Sequence, residues 1–417
     1  MLRIMRSSDR AEMDQLFARR SARMDEAIAV VQPILDAVKA RGDAALVEYA
    51  KKFDGLTAGT VRISQEKARA AAEELSAEFR AAVTTASEQI RRYAELQLPK
   101  EWTETVGDGV RLGQVVRPLD SVAAYIPGGR YPLPSTVMMT VIPAQAAGVK
   151  TVSVASPGPS PETLGTAGLL QVDNVFHMGG AQAIAAFCFG TETVPKAQRI
   201  VGPGNVYVAA AKKLLAGEVG IDFVAGPTEI LLISAEGDPR RLAADMLAQA
   251  EHDVDAAAIL LTTSRELGEA TAKEVERQLE DLPTAPVARE SIRDNSAVVV
   301  TESLEEAVEI SNRFAPEHLS IGDRSLLPQI ENAGSVFVGR WSPEAAGDYV
   351  SGPNHVLPTA GAAGLRAGLS VLDYVKIISV QELDETGLRR LAGAATTLAR
   401  AEGLEAHARS IEVRLDD

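Results

Sequence analysis

A chain of 417 residues exceeds what one ordinary hydrophobic core accommodates, so two or more domains are expected. Hydrophobic residues at 46% and charged residues at 24% are the balance of a folded globular protein. A net charge of −15, with no basic stripe interleaved with aromatics, argues against a nucleic-acid or anionic membrane partner. The single Cys188 excludes internal disulfides and a multi-cysteine zinc site, leaving nitrogen and oxygen ligands for any metal.

The N-terminal run MLRIMRSSDRAEMDQLFARR alternates charged with apolar residues and has no continuous apolar core. It does not read as a signal peptide, and no stretch approaches eighteen apolar residues, so a cytoplasmic protein without a membrane span is expected. Residues 22–53 place Ala27, Val30, Val31, Ile34, Leu35 and Val38 at helical spacing, with a break at Arg41-Gly42-Asp43. A second long amphipathic pattern covers 64–97. From about residue 110, short β-branched runs (VAAYIP, KTVSVAS, NVFHMG, QRIVGP, IDFVAG) alternate with helical stretches at 134–147, 161–170, 181–189 and 205–217. A second series follows: EILLISA, a helix at 238–252, AAAILLTT, a helix at 264–281, SAVVVT, a helix at 303–314, and GSVFVG. Such alternation predicts βαβ units and mainly parallel sheets, hence an α/β fold with two Rossmann-like domains. The stretch 371–417 reads as helical, charged and too small to fold alone.

Glycine turns are the first candidates for chemistry, because strand-to-helix turns bind anions at helix N-termini. Ile126-Pro127-Gly128-Gly129, Gly179-Gly180-Ala181-Gln182 and Gly202-Pro203-Gly204-Asn205 each follow a strand, but none completes G-x-G-x-x-G. Each taken alone is equally well a plain turn needing positive φ. Gln249 and His252, three apart, share a helix face and can point at one metal, although such a pair is more often simple helix surface. Glu317-His318 pairs a base with a water activator where a helix gives way to a strand, or is a solvated turn. Asp348 and His355 bracket a loop dense in Gly and Pro, where an oxygen ligand and an imidazole come close together, or an Asx-type turn forms. His407 lies in the terminal helix, where its value depends on what that helix docks against.

The blocks AAYIPGGRYPLPSTVMM, GGAQAIAAFCFGTETVPK, GPGNVYV, AGPTEI, QAEHD, APEHL and GDYVSGPNHVLPT follow one another in order. With them the chain resembles histidinol dehydrogenase over essentially its whole length. The resemblance implies two Rossmann-like domains with incomplete dinucleotide-binding topology, plus helical N-terminal and C-terminal segments. The expected division is an N-terminal segment (1–20), a first α/β domain with N-terminal helices (21–120 plus 229–370), a second, NAD-contacting α/β domain (121–228), and a C-terminal helical segment (371–417) docking on a partner subunit. It also implies zinc ligands at Gln249, His252, Asp348 and His407, and a catalytic pair at Glu317 and His318. NAD contacts fall at Tyr125, Gln182 and Asn205. Thr228, His355 and Glu402 fall in the substrate pocket, which the zinc ligands and His318 also line. His177 has no role in the family pattern and is expected to be structural, and Cys188 is expected as a small buried hydrophobe.

The implied reaction is oxidation of L-histidinol to L-histidine in two NAD-linked steps through an enzyme-held aldehyde, by a homodimer with a shared active site and one zinc per subunit. His318 would accept protons, Glu317 would activate the hydrating water, and zinc would position the substrate. Thr228 stands where the family usually has Ser, Thr140 replaces a frequent Asn, and 362–368 departs from an Arg-Phe-Ser-Ser run. These departures bear on fine substrate preference. The alternatives are a paralogous zinc- and NAD-dependent dehydrogenase of another small polyol or amino alcohol, and a two-lobed binding protein without turnover.

Overall fold

The computed structural model describes residues 2–18, 24–128 and 131–416. Two compact units are present, one of residues 1–97 and 120–374, the other of 98–119 and 375–417.

The larger unit carries two six-stranded sheets. In one, the strands run in the order Arg3–Arg6, Ala297–Val300, Ala257–Thr262, Glu229–Ile233, His318–Ile321, Ser335–Val338, all parallel. In the other, the order is Arg62–Ile63, Asn174–His177, Thr151–Ser156, Ser121–Tyr125, Arg199–Val201, Gly220–Ile221, with only the first strand antiparallel. Numbered by chain order within each βα series, both sheets read 3-2-1-4-5. This is the doubly wound order without its sixth strand. The predicted strands are nearly continuous apolar runs because helices cover both faces. Ile230, Leu232, Ala258, Leu260 and Val298 pack against one helical layer, and Leu231, Ile233, Ile259, Leu261 and Val299 against the other.

Three expectations about domains are corrected. Residues 2–6 are not a separate segment: Arg3–Arg6 forms the edge strand of the first sheet, and Leu2 and Met5 enter its cores. The boundary drawn at 20 and 21 lies outside the described residues. The helices Met24–Arg41 and Asp43–Phe53 pack on the second sheet, not the first: Ala27, Val31, Leu35, Leu46 and Ala50 share one core with Ala123, Phe176, Ile184 and Ile200, whereas Met13 and Leu16 of the helix Arg10–Ala18 enter a core of the first sheet. The apolar stripe of a helix shows that it must be buried, but not on which sheet. The break at Gly42 appears where expected, between helices Met24–Arg41 and Asp43–Phe53, with Gly42 at φ +52°. The 64–97 pattern divides into helices Gln65–Glu74 and Ala77–Gln97.

The third correction concerns the smaller unit. Residues 371–417 are not purely helical, since Val375–Leu383 is a nine-residue strand. It pairs antiparallel with Val110–Pro118, which pairs in turn with Trp102–Gly107. The tail therefore folds with 98–119, and helices Glu385–Ala401 and Glu405–Glu412 complete the unit. Among the described residues, no helix is long and apolar enough to cross a membrane.

A buried ion pair fixes one glycine turn of the second sheet. Lys212 Nζ donates to Asp222 Oδ1 at 2.6 Å and to the Gly202 carbonyl at 2.5 Å, while Asp222 Oδ2 accepts the Gly202 amide at 2.7 Å. Both side chains are almost fully buried, at 3% and 0% exposed. Lys212→Met strands the carboxylate, so its urea midpoint is expected to fall by the equivalent of about 3–5 kcal/mol.

Candidate active site

The first sheet offers its chemistry at the amino ends of its central strands. Thr228 and Glu229 open the strand Glu229–Ile233, and Glu317 and His318 open the neighbouring strand His318–Ile321. The strand order reverses between these two strands, but open α/β sheets ordinarily bind ligands at the carboxyl ends. In the second sheet the candidate residues stand at the carboxyl ends instead: Tyr125 ends its strand and Gly202 follows the neighbouring one.

Glu317 is buried and held from two sides. Its Oε2 accepts the Thr228 hydroxyl at 2.5 Å and the Glu229 amide at 2.9 Å. Burial pushes its carboxyl well above the usual range, partly offset by those two bonds. Thr228 in turn accepts Gln249 Nε2 at 2.8 Å, so the threonine methyl does not prevent the hydroxyl from bridging Glu317 and Gln249. His318 Nδ1 lies 3.1 Å from Gln249 Oε1 and 3.3 Å from the Glu229 carbonyl. Both partners are acceptors, so Nδ1 carries the proton and Nε2 keeps its lone pair. That Nε2 is buried without a hydrogen-bond partner among the described residues. Burial, and then the neighbouring His252 and His355, drive the His318 pKa down to about 3 against its bond to Glu229. The imidazole is thereby held neutral, with its Nε2 3.9 Å from Asp348 Oδ1.

A cation-shaped cluster stands beside it. Donor atoms of His252, Glu344 and Asp348 lie within 4.8 Å of one another, and His252 Nε2 is 3.7 Å from Asp348 Oδ2. His355 Nδ1 donates to the Asp348 carbonyl at 2.9 Å, and its Nε2 meets the Thr136 hydroxyl at 3.2 Å, tying the loop to helix Pro134–Ala147 of the second sheet. Burial lowers the His355 pKa to about 4. Both Glu344 oxygens are buried without an N–H or hydroxyl donor among the described residues. Burial and the Asp348 carboxylate raise the Glu344 carboxyl well above its usual range, and burial raises Asp348 in turn. Like charges packed away from water are costly unless a cation joins them, and neutral imidazoles with carboxylates are the donor set zinc accepts. The residues fit a metal.

Of the residues expected from sequence, the structure thus brings together Thr228, Gln249, His252, Glu317, His318, Asp348 and His355. Glu402 and His407 lie exposed in the smaller unit, at the C-cap of one helix and within the next. Glu344 was missed, though its signal was present: Glu344 and Asp348 are four apart on one short helix and share its face. In the second sheet, the Tyr125 hydroxyl accepts the Gly180 amide at 3.2 Å, and burial pushes its pKa up to about 12. Gln182 is buried and donates to Asp54 Oδ2 at 3.0 Å. Exposed Asn205 caps its helix by accepting the Tyr207 and Val208 amides. The His177 ring donates to the Asp54 carbonyl at 2.8 Å and its amide to the Val61 carbonyl at 2.7 Å. Cys188 is fully buried in the core. Gly129 lies outside the described residues. The 362–368 segment turns Arg366 onto the Phe223 ring, 4.9 Å from its centroid, and toward Asp373 at 3.3 Å.

The family model described as histidinol dehydrogenase matches residues 17–415. The chain belongs to the histidinol dehydrogenase family. It is 47% identical to a histidinol dehydrogenase of Geobacter metallireducens over 93% of this chain and 91% of that protein. It is 46% identical to one of Thermus thermophilus over 97% and 98%. The crystal structure of histidinol dehydrogenase from Elizabethkingia anophelis superposes with a TM-score of 0.95 at 36% identity, covering 100% of this chain and 98% of that one. Asp245, half-buried in the larger unit, has a carboxyl that burial alone raises to about 6 from an ordinary 3.8. The ionised form is therefore the costly one when folded. Asp245→Asn is expected to stabilise the protein by about 2–3 kcal/mol above pH 7, a gain that shrinks as pH falls through 6 and vanishes below about 4. Thermal melts across that range check it.

Proposed function

We propose that this chain oxidises L-histidinol to L-histidine in two successive NAD-linked steps, through histidinal kept on the enzyme. The observation that carries the reading is the buried Glu317–His318 pair, with the His318 Nε2 lone pair free beside the cluster of His252, Glu344 and Asp348. In the first step His318 Nε2 takes the alcohol proton as hydride departs to the dinucleotide. Its Nδ1–H keeps donating to Gln249 Oε1 and the Glu229 carbonyl, which stabilise the imidazolium that forms. Glu317, fixed by Thr228 and Glu229, then accepts a proton from the water that adds to the aldehyde. His318, having lost its proton, accepts another as the hydrate gives up its hydride.

Gln249, His252, Asp348 and His407 would hold zinc, with Glu344 beside them; when bound it supplies a positive centre that anchors the substrate imidazole and amine nitrogens. His355 and Glu402 would line the substrate pocket. NAD supplies the hydride acceptor, and Tyr125, Gln182 and Asn205 at the carboxyl ends of the second sheet would contact it. That sheet, with its 3-2-1-4-5 order, serves as an incomplete dinucleotide-binding domain. The test is NADH formation from L-histidinol with zinc present, two NADH for each histidinol consumed. An absence of NADH would sink the reading.

The working form is a homodimer whose active site is shared, with His407 and Glu402 donated by the partner copy. Exposed Ile377, Ile378, Val380, Leu383 and Leu398 on the smaller unit support it, since apolar surface of this extent favours being covered. Subunit exchange between inactive His318→Asn and inactive His407→Ala proteins is expected to restore activity that neither variant has alone. Mixtures that form heterodimers and stay inactive would refute sharing.

A further inference from the structure

Asp54 follows the helix Asp43–Phe53 and bonds the glycine turn after the strand Asn174–His177 of the second sheet. Its Oδ2 accepts the Gly179 amide at 2.8 Å and Gln182 Nε2 at 3.0 Å. Its carbonyl accepts His177 Nε2 at 2.8 Å, which fixes the residue from the far side. The next amide, Gly180, is taken by the Tyr125 hydroxyl. This turn follows the third strand of the series, not the first, whose turn takes pyrophosphate in a dinucleotide fold, and its two leading amides are already bonded, one of them to a carboxylate. The fit is close: a Cβ on Gly179 would lie 2.9 Å from Asp54 Oδ1 and 2.5 Å from Pro157. Gly158, after the strand Thr151–Ser156, lies beside the Asp54 carbonyl, and the carboxylate bonds Gly179 after the strand Asn174–His177, so the residue stands at the carboxyl ends of both strands. In a 3-2-1-4-5 sheet those ends receive the adenosine ribose, where an acidic group accepts the 2′-hydroxyl. Oδ1 carries none of the bonds above and is left for such a donor.

We propose that Asp54 sets both the orientation of Gln182 and the choice of cofactor, admitting a dinucleotide with a free ribose 2′-hydroxyl and rejecting one with a 2′-phosphate. The proposal rests on the second sheet being the nucleotide site. A phosphate dianion brought beside a fixed carboxylate meets like charge in a half-buried place, a juxtaposition that costs several kcal/mol. Asp54 acts here as a positioning and specificity residue, outside the chemical steps.

The experiment compares kcat/KM for NAD and NADP, with KM for histidinol, in the native protein, Asp54→Asn and Asp54→Ser. Asparagine keeps the size and one acceptor oxygen for Gly179, so the turn survives in at least that variant. The native protein is expected to prefer NAD. Both variants are expected to raise the NADP:NAD ratio of kcat/KM by roughly tenfold or more, leaving KM for histidinol unchanged. A ratio that does not move, or a native protein indifferent to the 2′-phosphate, overturns the proposal. A purely structural role would lower both cofactors alike and leave the ratio fixed. NADH binding to Asn205→Ala, followed by fluorescence, tests the underlying reading separately. Weakened binding supports the second sheet as the nucleotide site, and native affinity removes it.

Discussion

Asparagine in place of His318 is expected to lower kcat by about 10²- to 10⁴-fold, the usual contribution of a positioned base. The reason lies in one atom. His318 Nε2 is buried and unprotonated, without a hydrogen-bond partner among the described residues, while Nδ1 is committed to Gln249 and the Glu229 carbonyl. Asparagine can retain a donor near those acceptors but has no basic nitrogen. Zinc content and KM for NAD should stay near native, because His318 is expected to ligate neither. Glu317→Gln should separate the two oxidations: it removes the group that accepts a proton from the hydrating water but not the base for the first hydride step. Single-turnover kinetics would then show the first NADH formed and the second delayed. Equal slowing of both would place Glu317 in the first step too.

The second large effect follows from the cluster of His252, Glu344 and Asp348. Chelation is expected to abolish histidinol oxidation, and added zinc to restore it. His252→Ala and Asp348→Asn should weaken zinc binding directly. Glu344→Gln should weaken it by about 10- to 100-fold, the range for groups that support a metal's ligands. Zinc should also raise the melting temperature of the native protein in a concentration-dependent way, since it binds the folded state. Metal analysis of each variant, alongside activity, checks the set. Native zinc content in Glu344→Gln would assign that carboxylate elsewhere.

Much of the site was legible because its residues lie in short local groups. Gln249 and His252 share a helix end, Glu317 and His318 are adjacent, and Asp348 and His355 bracket one loop. Their convergence was carried by family resemblance, since spacing alone left each open to a bland reading. Glu344 was legible in principle from its i, i+4 relation to Asp348, but a six-residue helix after Pro343 gives too little periodicity to be noticed. Asp54 had no such signal: before Gly55 it reads as a turn residue, and its role depends on where helix Asp43–Phe53 lands. The parallel sheets announced themselves through alternating βα segments. The pairing of Val375–Leu383 with Val110–Pro118 could not, because an antiparallel pair so distant in sequence leaves no local pattern. The edge strand Arg3–Arg6 is too short and too charged to read as a strand by itself.

The placement of Glu317 and His318 at the amino edge of the first sheet has a practical consequence. The opposite rim, formed by the turns after Ile233, Ile321 and Val338, lies a full strand length from Glu317 and His318. Those turns are therefore the places to graft a fluorophore, an affinity tag or a surface tether, and Trp341 there already stands 77% exposed. An immobilised catalyst attached by that rim would keep its reactive edge facing the solution.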